Sequence, residues 1–364
     1  MGEEIYRLWL STLHGAGSRK QNALLDFFGS ARAVFDATAD ALRSARFLTE
    51  NHIALILENR SLSRIEKILR VMEQQKIVFV SREHQSFPPL LKLIPDPPVG
   101  IFYMGELPDG ALPCAAIIGS RRCSEYGLTS ARLLAKPLAQ NGVVVVSGMA
   151  RGIDGMAHKG ALEGGGKTVA VLGCGVDICY PKEHRALRAD IIRNGCLVSE
   201  YPPGVTPMPA YFPARNRIIS GLSSVVVVVE AARKSGTLIT VDQAQDQGRE
   251  IMAVPGSILS KLSEGTNILI RDGAYPAATY EDVLALLGKV PAAAKPREKP
   301  ENAANALAPE EKIVYDSLNF EPEGFDSLVL RTGSQPNALH YVLTMLELKG
   351  FIKKLPGMRY IRNI

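Results

Sequence analysis

Small, basic and hydroxyl residues recur in this chain wherever a short apolar run ends. Gly119-Ser120-Arg121-Arg122-Cys123-Ser124 follows the run 115–118, and Ser147-Gly148 and Gly152-Ile153-Asp154 follow 143–146. Tyr180-Pro181-Lys182 comes after 168–172, Phe212-Pro213-Ala214-Arg215-Asn216-Arg217 after 197–198, and Lys234-Ser235-Gly236-Thr237 after 225–229. A short polar turn that opens a helix presents unpaired backbone N–H groups to an anion, and an arginine beside it adds a forked donor. The chemistry these residues predict is phosphate binding. Its expected members are Gly119, Ser120, Arg121, Ser147, Gly148, Lys182, Phe212, Arg215, Asn216, Arg217, Lys234, Ser235 and Gly236. Arg215 and Arg217 are two apart, so on a helix they face different ways. One is expected to meet ligand while the other pairs with an internal carboxylate. Phe212 and Tyr180 stand where a nucleobase could stack, an interaction of about 1–3 kcal/mol per base.

Other chemistries fit less well. The turn after 115–118 is not the G-x-G-x-x-G of dinucleotide binding. The nearest approach to a P-loop is Gly166-Lys167-Thr168, but Ala161 stands where its first glycine is required, and the triplet precedes an apolar run instead of following one. Cys114, Cys123, Cys174, Cys179 and Cys196 form no C-x-x-C pair, and the six histidines are dispersed, so buried reduced thiols are expected and neither a metal nor any other cofactor. Asp154, Glu200 and Glu230 are available as acids, but acid/base hydrolysis needs two carboxylates facing one bond. The simpler expectation is that Asp154 and Glu200 hold the basic residues in place.

The elements that must position these residues follow from hydrophobic periodicity. Residues 1–75 read as helices, with apolar residues at helical spacing in Ile5, Leu8, Trp9, Leu13, Leu24, Leu25, Phe28, Ile53, Ile56 and Leu57. Leu13-His14-Gly15-Ala16-Gly17-Ser18 reads either as a helix-hairpin-helix turn facing a phosphate or as a plain helix–helix turn. Residues 76–113 are a proline-rich connecting region. From 114 onward, apolar runs at 115–118, 143–146, 168–172, 197–198, 225–229 and 251–254 alternate with helical stretches. This predicts a parallel sheet covered on both faces. Five consecutive valines at 225–229 suit a central strand, since β-branching restricts χ1. The core is therefore expected over 76–288, followed by a Pro/Ala/charge-rich linker at 289–311. Residues 312–364 read as helix, turn, helix and hairpin, a winged-helix pattern that serves duplex DNA in some proteins and protein contacts in others.

With 364 residues, 46 % hydrophobic and 22 % charged, the chain has the composition of an ordinary globular protein of two or three domains. A net charge of +5 is compatible with a polyanionic partner without demanding one. The first residues, Met1-Gly2-Glu3-Glu4-Ile5, carry no basic-then-apolar leader pattern, and no apolar run nears the roughly 20 residues that span a bilayer. A cytoplasmic location without membrane insertion is expected.

Taken together, the motifs resemble those of the DNA-processing protein A family (DprA, also called Smf). Its marks here are Gly119-Ser120-Arg121; Ser147-Gly148 with Gly152-Ile153-Asp154; Ala170-Val171-Leu172-Gly173 with Tyr180-Pro181; Ser199-Glu200-Tyr201-Pro202; Phe212-Pro213 with Arg215-Asn216-Arg217-Ile218-Ile219; Lys234-Ser235-Gly236; and Ala253-Val254-Pro255-Gly256. The similarity is strong over about 114–275, and the flanking domains follow in order. It implies an extended Rossmann-like α/β core between an N-terminal SAM or helix-hairpin-helix-like domain and a C-terminal winged helix. It further implies a homodimer that binds single-stranded DNA without chemistry and loads RecA recombinase onto incoming strands in natural transformation, competence and homologous recombination. The family's phosphate-binding arginine and lysine match Arg121 and Lys182. His184 departs from the pattern, standing where asparagine is usual. The rival reading is a nucleotide phosphoribohydrolase on a similar sheet, but Thr240 occupies the position where that enzyme's carboxylate is needed.

Overall fold

The computed structural model describes residues 2–13, 17–289, 307–319 and 321–362. The chain divides into two compact units, Met1–Pro291 and Ala292–Ile364. His14, Gly15 and Ala16 of the first interhelical turn, and most of the linker expected at 289–311, lie outside the described residues.

Six helices open the first unit: α1 Glu3–Thr12, α2 Ser18–Phe28, α3 Ala31–Asp36, α4 Ala39–Ser44, α5 Glu50–Glu58 and α6 Leu62–Gln75. Three of these, α3, α4 and α6, start at a side-chain cap. The hydroxyls of Ser30, Thr38 and Ser61 accept from the N–H groups of Ala33, Ala41 and Arg64. Trp9, Leu10, Leu24, Ile56 and Ile65 are fully buried in one cluster with Phe102 and Leu197 of the following sheet. The helices thus share a core with the sheet they precede.

That sheet has nine strands: β1 Val78–Ser81, β2 Gly100–Gly105, β3 Cys114–Ile118, β4 Val144–Ser147, β5 Thr168–Val171, β6 Gly195–Ser199, β7 Val225–Val228, β8 Glu250–Ala253 and β9 Tyr275–Pro276. Their order is β1-β2-β6-β5-β4-β3-β7-β8-β9. The seven strands from β6 to β9 run parallel, while β1 and β2 pair antiparallel, with β2 joined to β6. Within the expected core 76–288, the stretch read as its connecting region supplies two strands, β1 and β2. Their short runs sit among prolines, and β2 finds its partner in β6, far along the chain, so local pattern does not reveal the pairing.

Alternate residues of the central strands enter opposite cores. Ala116, Ile118, Val144, Val146, Val226 and Val228 face one way, and Ala115, Ile117, Val143, Val145, Val225 and Val227 the other. The first face is covered by α7 Pro89–Lys92, α11 Tyr211–Gly221 and α12 Thr237–Asp246 through Leu91, Ile218, Ile219 and Val241. The second is covered by α8 Glu125–Gln140, α9 Ile153–Glu163 and α14 Tyr280–Leu286 through Leu134, Leu138, Ile153, Ala157 and Val283. Two further helices complete the unit, α10 Arg185–Asn194 and α13 Glu264–Arg271. Burial on both faces explains why the strands read as continuous apolar runs. The chain leaves β3 toward β4 on one side and later returns to β7 on its other side, which makes the β3/β7 boundary the topological switch point of the sheet.

The second unit contains α15 Pro309–Ser317, β10 Glu323–Gly324, α16 Phe325–Thr332, α17 Pro336–Leu348 and the hairpin β11 Ile352–Leu355 and β12 Arg359–Arg362. Its strands are ordered β10-β12-β11. Val314, Leu318, Leu328, Leu339, Leu343, Leu346, Ile352 and Tyr360 form its core. Leu307 also belongs to that core and α15 begins at Pro309, so folded structure starts inside the stretch read as linker. No described helix is long and apolar enough to cross a membrane.

Candidate nucleic-acid interface

A cleft of about 600 Å³ opens at the switch point, beyond the C-terminal ends of the strands. Its walls come from the turn 119–122 after β3, the start of α11, and residues 235–240 at the start of α12. The β3 turn is tightly anchored. Ser120 N–H donates to the Glu230 carbonyl at 2.8 Å, and Arg122 N–H donates to Ser120 Oγ at 3.1 Å. Gly152 packs against this turn with φ +75°, and a Cβ there would collide with the Ser120 carbonyl. Arg121 is left exposed at the rim, its guanidinium carbon 5.1 Å from the centre of the Phe212 ring. Tyr180 lies on the same phenyl group, centroids 5.4 Å apart, and is 43 % exposed.

Arg215 forms the floor. Only 3 % exposed, it donates through Nη1 to the carbonyls of Gly148 (2.8 Å) and Val171. Gly148 leaves it room, because a Cβ at that position would stand 2.5 Å from Nη2. Burial pushes the guanidinium down to about 10, opposed by the nearby Asp154 carboxylate, so Arg215 remains charged at neutral pH. Asp154 is raised by its own burial, while Arg215, Arg121 and the amides of Ala150 and Gly148 pull it the other way.

Arg217 is a correction to the expected site. It points away from the cleft into a buried network, with Nη2 2.5 Å from Glu200 and Nε 3.5 Å from Asp96. Asp96 also accepts from Ser18 Oγ at 2.9 Å, which ties α2 to the underside of α11. Burial raises Glu200, and Arg217 offsets that rise. Of the two arginines, Arg215 is therefore the one that lines the cleft. Ser147 is fully buried and donates to the Ile117 carbonyl at 2.7 Å, so it secures β4 and is not offered to the cleft.

The remaining expected residues divide between wall and rim. Gly119, Ser120, Arg121, Phe212, Arg215, Asn216, Ser235 and Gly236 line the cleft together. Gly148 lines a smaller pocket of about 60 Å³ that shares Arg121, Phe212 and Arg215 with it. Lys182 and Lys234 are exposed and stand outside the lining. The orphan N–H groups at the start of α12 have no side-chain cap beyond Ser235 Oγ, which accepts from Thr237 N–H at 3.2 Å.

The arrangement suits an extended anion more than a bond to be cut. Asp154 is the one carboxylate among the described lining residues, and Thr240 is a buried part of the wall. Glu230 accepts from Ser124 N–H at 2.9 Å and Oγ at 2.5 Å, which holds the start of α8. Glu200 is committed to Arg217. The carboxylate pair that glycosidic hydrolysis requires is not assembled among these residues. Sequence reasoning missed Ala150, Pro209 and Ile239 on the wall, which carry no charge or motif to mark them.

A doubly covered parallel sheet with a basic, aromatic-lined cleft at its switch point defines a Rossmann-like α/β protein, here joined to a winged-helix unit. The family model described as DNA recombination-mediator protein A matches residues 78–288, and that of the DprA winged helix domain matches 298–358. The chain belongs to the DNA recombination-mediator protein A family. It is 44 % identical over 216 residues to the DNA processing protein DprA of Streptococcus pneumoniae, covering 57 % of this chain and 76 % of that one. It is 38 % identical over 310 residues to Protein Smf of Escherichia coli, covering 82 % and 80 %. The solved structure of the Streptococcus pneumoniae protein superposes with a TM-score of 0.66 at 36 % identity, over 77 % of this chain and 97 % of that one. A Helicobacter pylori DNA processing protein A structure, described for its single-stranded DNA binding mode, matches with a TM-score of 0.52 at 30 % identity over 58 % and 95 %.

Proposed function

We propose that this protein binds single-stranded DNA across the switch-point cleft and does no chemistry on it. The observation that carries the reading is the convergence of exposed Arg121, buried charged Arg215 and the Phe212–Tyr180 aromatic pair in one open groove. Phosphates sit against Arg121, Arg215 and the start of α12, with Lys182 and Lys234 extending the positive rim. A base stacks on the exposed aromatic face. Contact is mostly with the DNA backbone, so sequence preference is slight and salt dependence steep. The binding of single-stranded DNA by the Helicobacter pylori relative supports this reading. Protection of incoming strands, loading of RecA and homodimer formation belong to the same proposal and are supported by membership of a recombination-mediator family.

The test is a salt series of binding to single- and double-stranded oligonucleotides, with the full chain and a chain ending at Gly288. Preference for the single strand, retained by the shorter chain, is the expected result. Preference for duplex DNA that disappears with residues beyond 288 would move the activity to the winged helix and overturn the reading.

A further inference from the structure

Only three non-glycine residues among those described adopt positive φ: Lys76, Met149 and Met358. Lys76 ends a helix and Met358 is the last residue of a hairpin turn, both common places for this conformation. Met149 differs. It is wholly buried, has φ +52°, and sits between Gly148, whose carbonyl receives Arg215, and Ala150, a wall residue of the cleft. A long side chain in this sparsely populated region persists only where its surroundings impose it.

Two histidines grip its peptide groups. His158 Nε2 lies 3.3 Å from Met149 N, and His184 Nδ1 lies 3.1 Å from Met149 O. His158 is fully buried on α9, and its other ring nitrogen, Nδ1, is 2.7 Å from Thr168 Oγ1. Thr168 in turn donates its hydroxyl proton to the Val145 carbonyl at 2.7 Å. Proton counting then fixes the imidazole. With its proton committed to Val145, Thr168 Oγ1 can only accept from His158, which places the ring proton on Nδ1 and leaves Nε2 bare to accept from Met149 N–H. Burial lowers the His158 pKa to about 3, so the ring stays neutral and this polarity holds across ordinary pH.

We propose that His158 is a positioning residue for the DNA cleft: held as the Nδ1–H tautomer by Thr168, it fixes the Met149 amide and with it the Gly148 carbonyl that receives Arg215. The chain from β5 through α9 to the end of β4 sets where the Gly148 carbonyl meets the guanidinium. Gly148 and Ala150, whose amides pull the Asp154 carboxyl downward against its burial, lie on either side of the clamped residue. His158 itself lines neither pocket.

This inference rests on the proposed single-strand site, and the experiment separates the two. Oligothymidylate affinity is measured for the full-length wild type, His158→Gln and His158→Asn, with thermal melting of each. Glutamine places an acceptor near Nε2 and keeps the Met149 contact, whereas asparagine reaches only toward Thr168. Affinity within about threefold of wild type for His158→Gln and at least about tenfold weaker for His158→Asn, in folded proteins, is expected from loss of a buried hydrogen bond. Equal affinities in the two variants overturn the inference. So does a wild-type His158 found with its proton on Nε2 by nitrogen NMR, a measurement that stands even if a variant fails to fold. Failure of the wild type to bind oligothymidylate would instead defeat the underlying function.

Discussion

Arg215 and Arg217 lie on one helix and end in opposite environments. The first meets backbone carbonyls at the floor of an open cleft, and the second is closed in by Glu200 and Asp96. Removing the Glu200 carboxylate strands a buried guanidinium, so Glu200→Ala should lower unfolding stability by about 3–5 kcal/mol in a denaturant titration. The aromatic and cationic contacts at the rim can be separated by salt. Phe212→Ala should weaken single-strand binding by about 1–3 kcal/mol with the salt slope unchanged, because no charge is lost. If the slope falls with Phe212, the ring is acting through a neighbouring cation and not through a base. At this scale the sequence showed that the two arginines diverge but not which one lines the cleft. That choice depends on the strands lying beneath α11, and the two-residue spacing is silent about them. The left-handed Met149 was equally hidden, since nothing in its side chain announces the conformation.

Gly152 is the point at which an element, not a side chain, shapes the cleft. It lets the start of α9 approach the turn 119–122 with φ +75° and no side chain in the way. Gly152→Ala should cost more than about 1 kcal/mol in thermal unfolding, because both the positive φ and the collision with Ser120 penalise it. In the winged-helix unit, Lys349 Nζ lies 2.7 Å from Glu311 Oε1 and holds its carboxyl below the usual carboxylate range. A depressed carboxyl pKa adds stability that is present above the unfolded-state value and is lost as pH falls through the folded-state value. Melting of this unit should therefore decline below about pH 4.5, and Glu311→Gln should flatten that decline in calorimetry. Among the elements, the parallel strands were legible because burial on both faces makes them uninterrupted apolar runs. β1 and β2 were not, because four to six residues among prolines become strands only through pairing with each other and with β6.

Seen whole, the first unit joins helices that could have been a separate domain to the sheet that carries the cleft. Residues from α1, α2, α5 and α6 share one core with Phe102 and Leu197, and Asp96 links Ser18 to Arg217. Helical periodicity identifies an apolar face but not what covers it, so this union was invisible before the fold. The position of the cleft was better foreshadowed: basic and glycine-containing turns at successive strand ends converge wherever a parallel sheet changes direction. The direct test of the central claim is the affinity of Arg121→Ala for a labelled single-stranded oligonucleotide at fixed salt, with its melting temperature measured in parallel. Binding weakened by about tenfold or more with melting unchanged is predicted, as expected for loss of a charged phosphate contact at an exposed rim. Wild-type affinity in the folded variant would contradict the account.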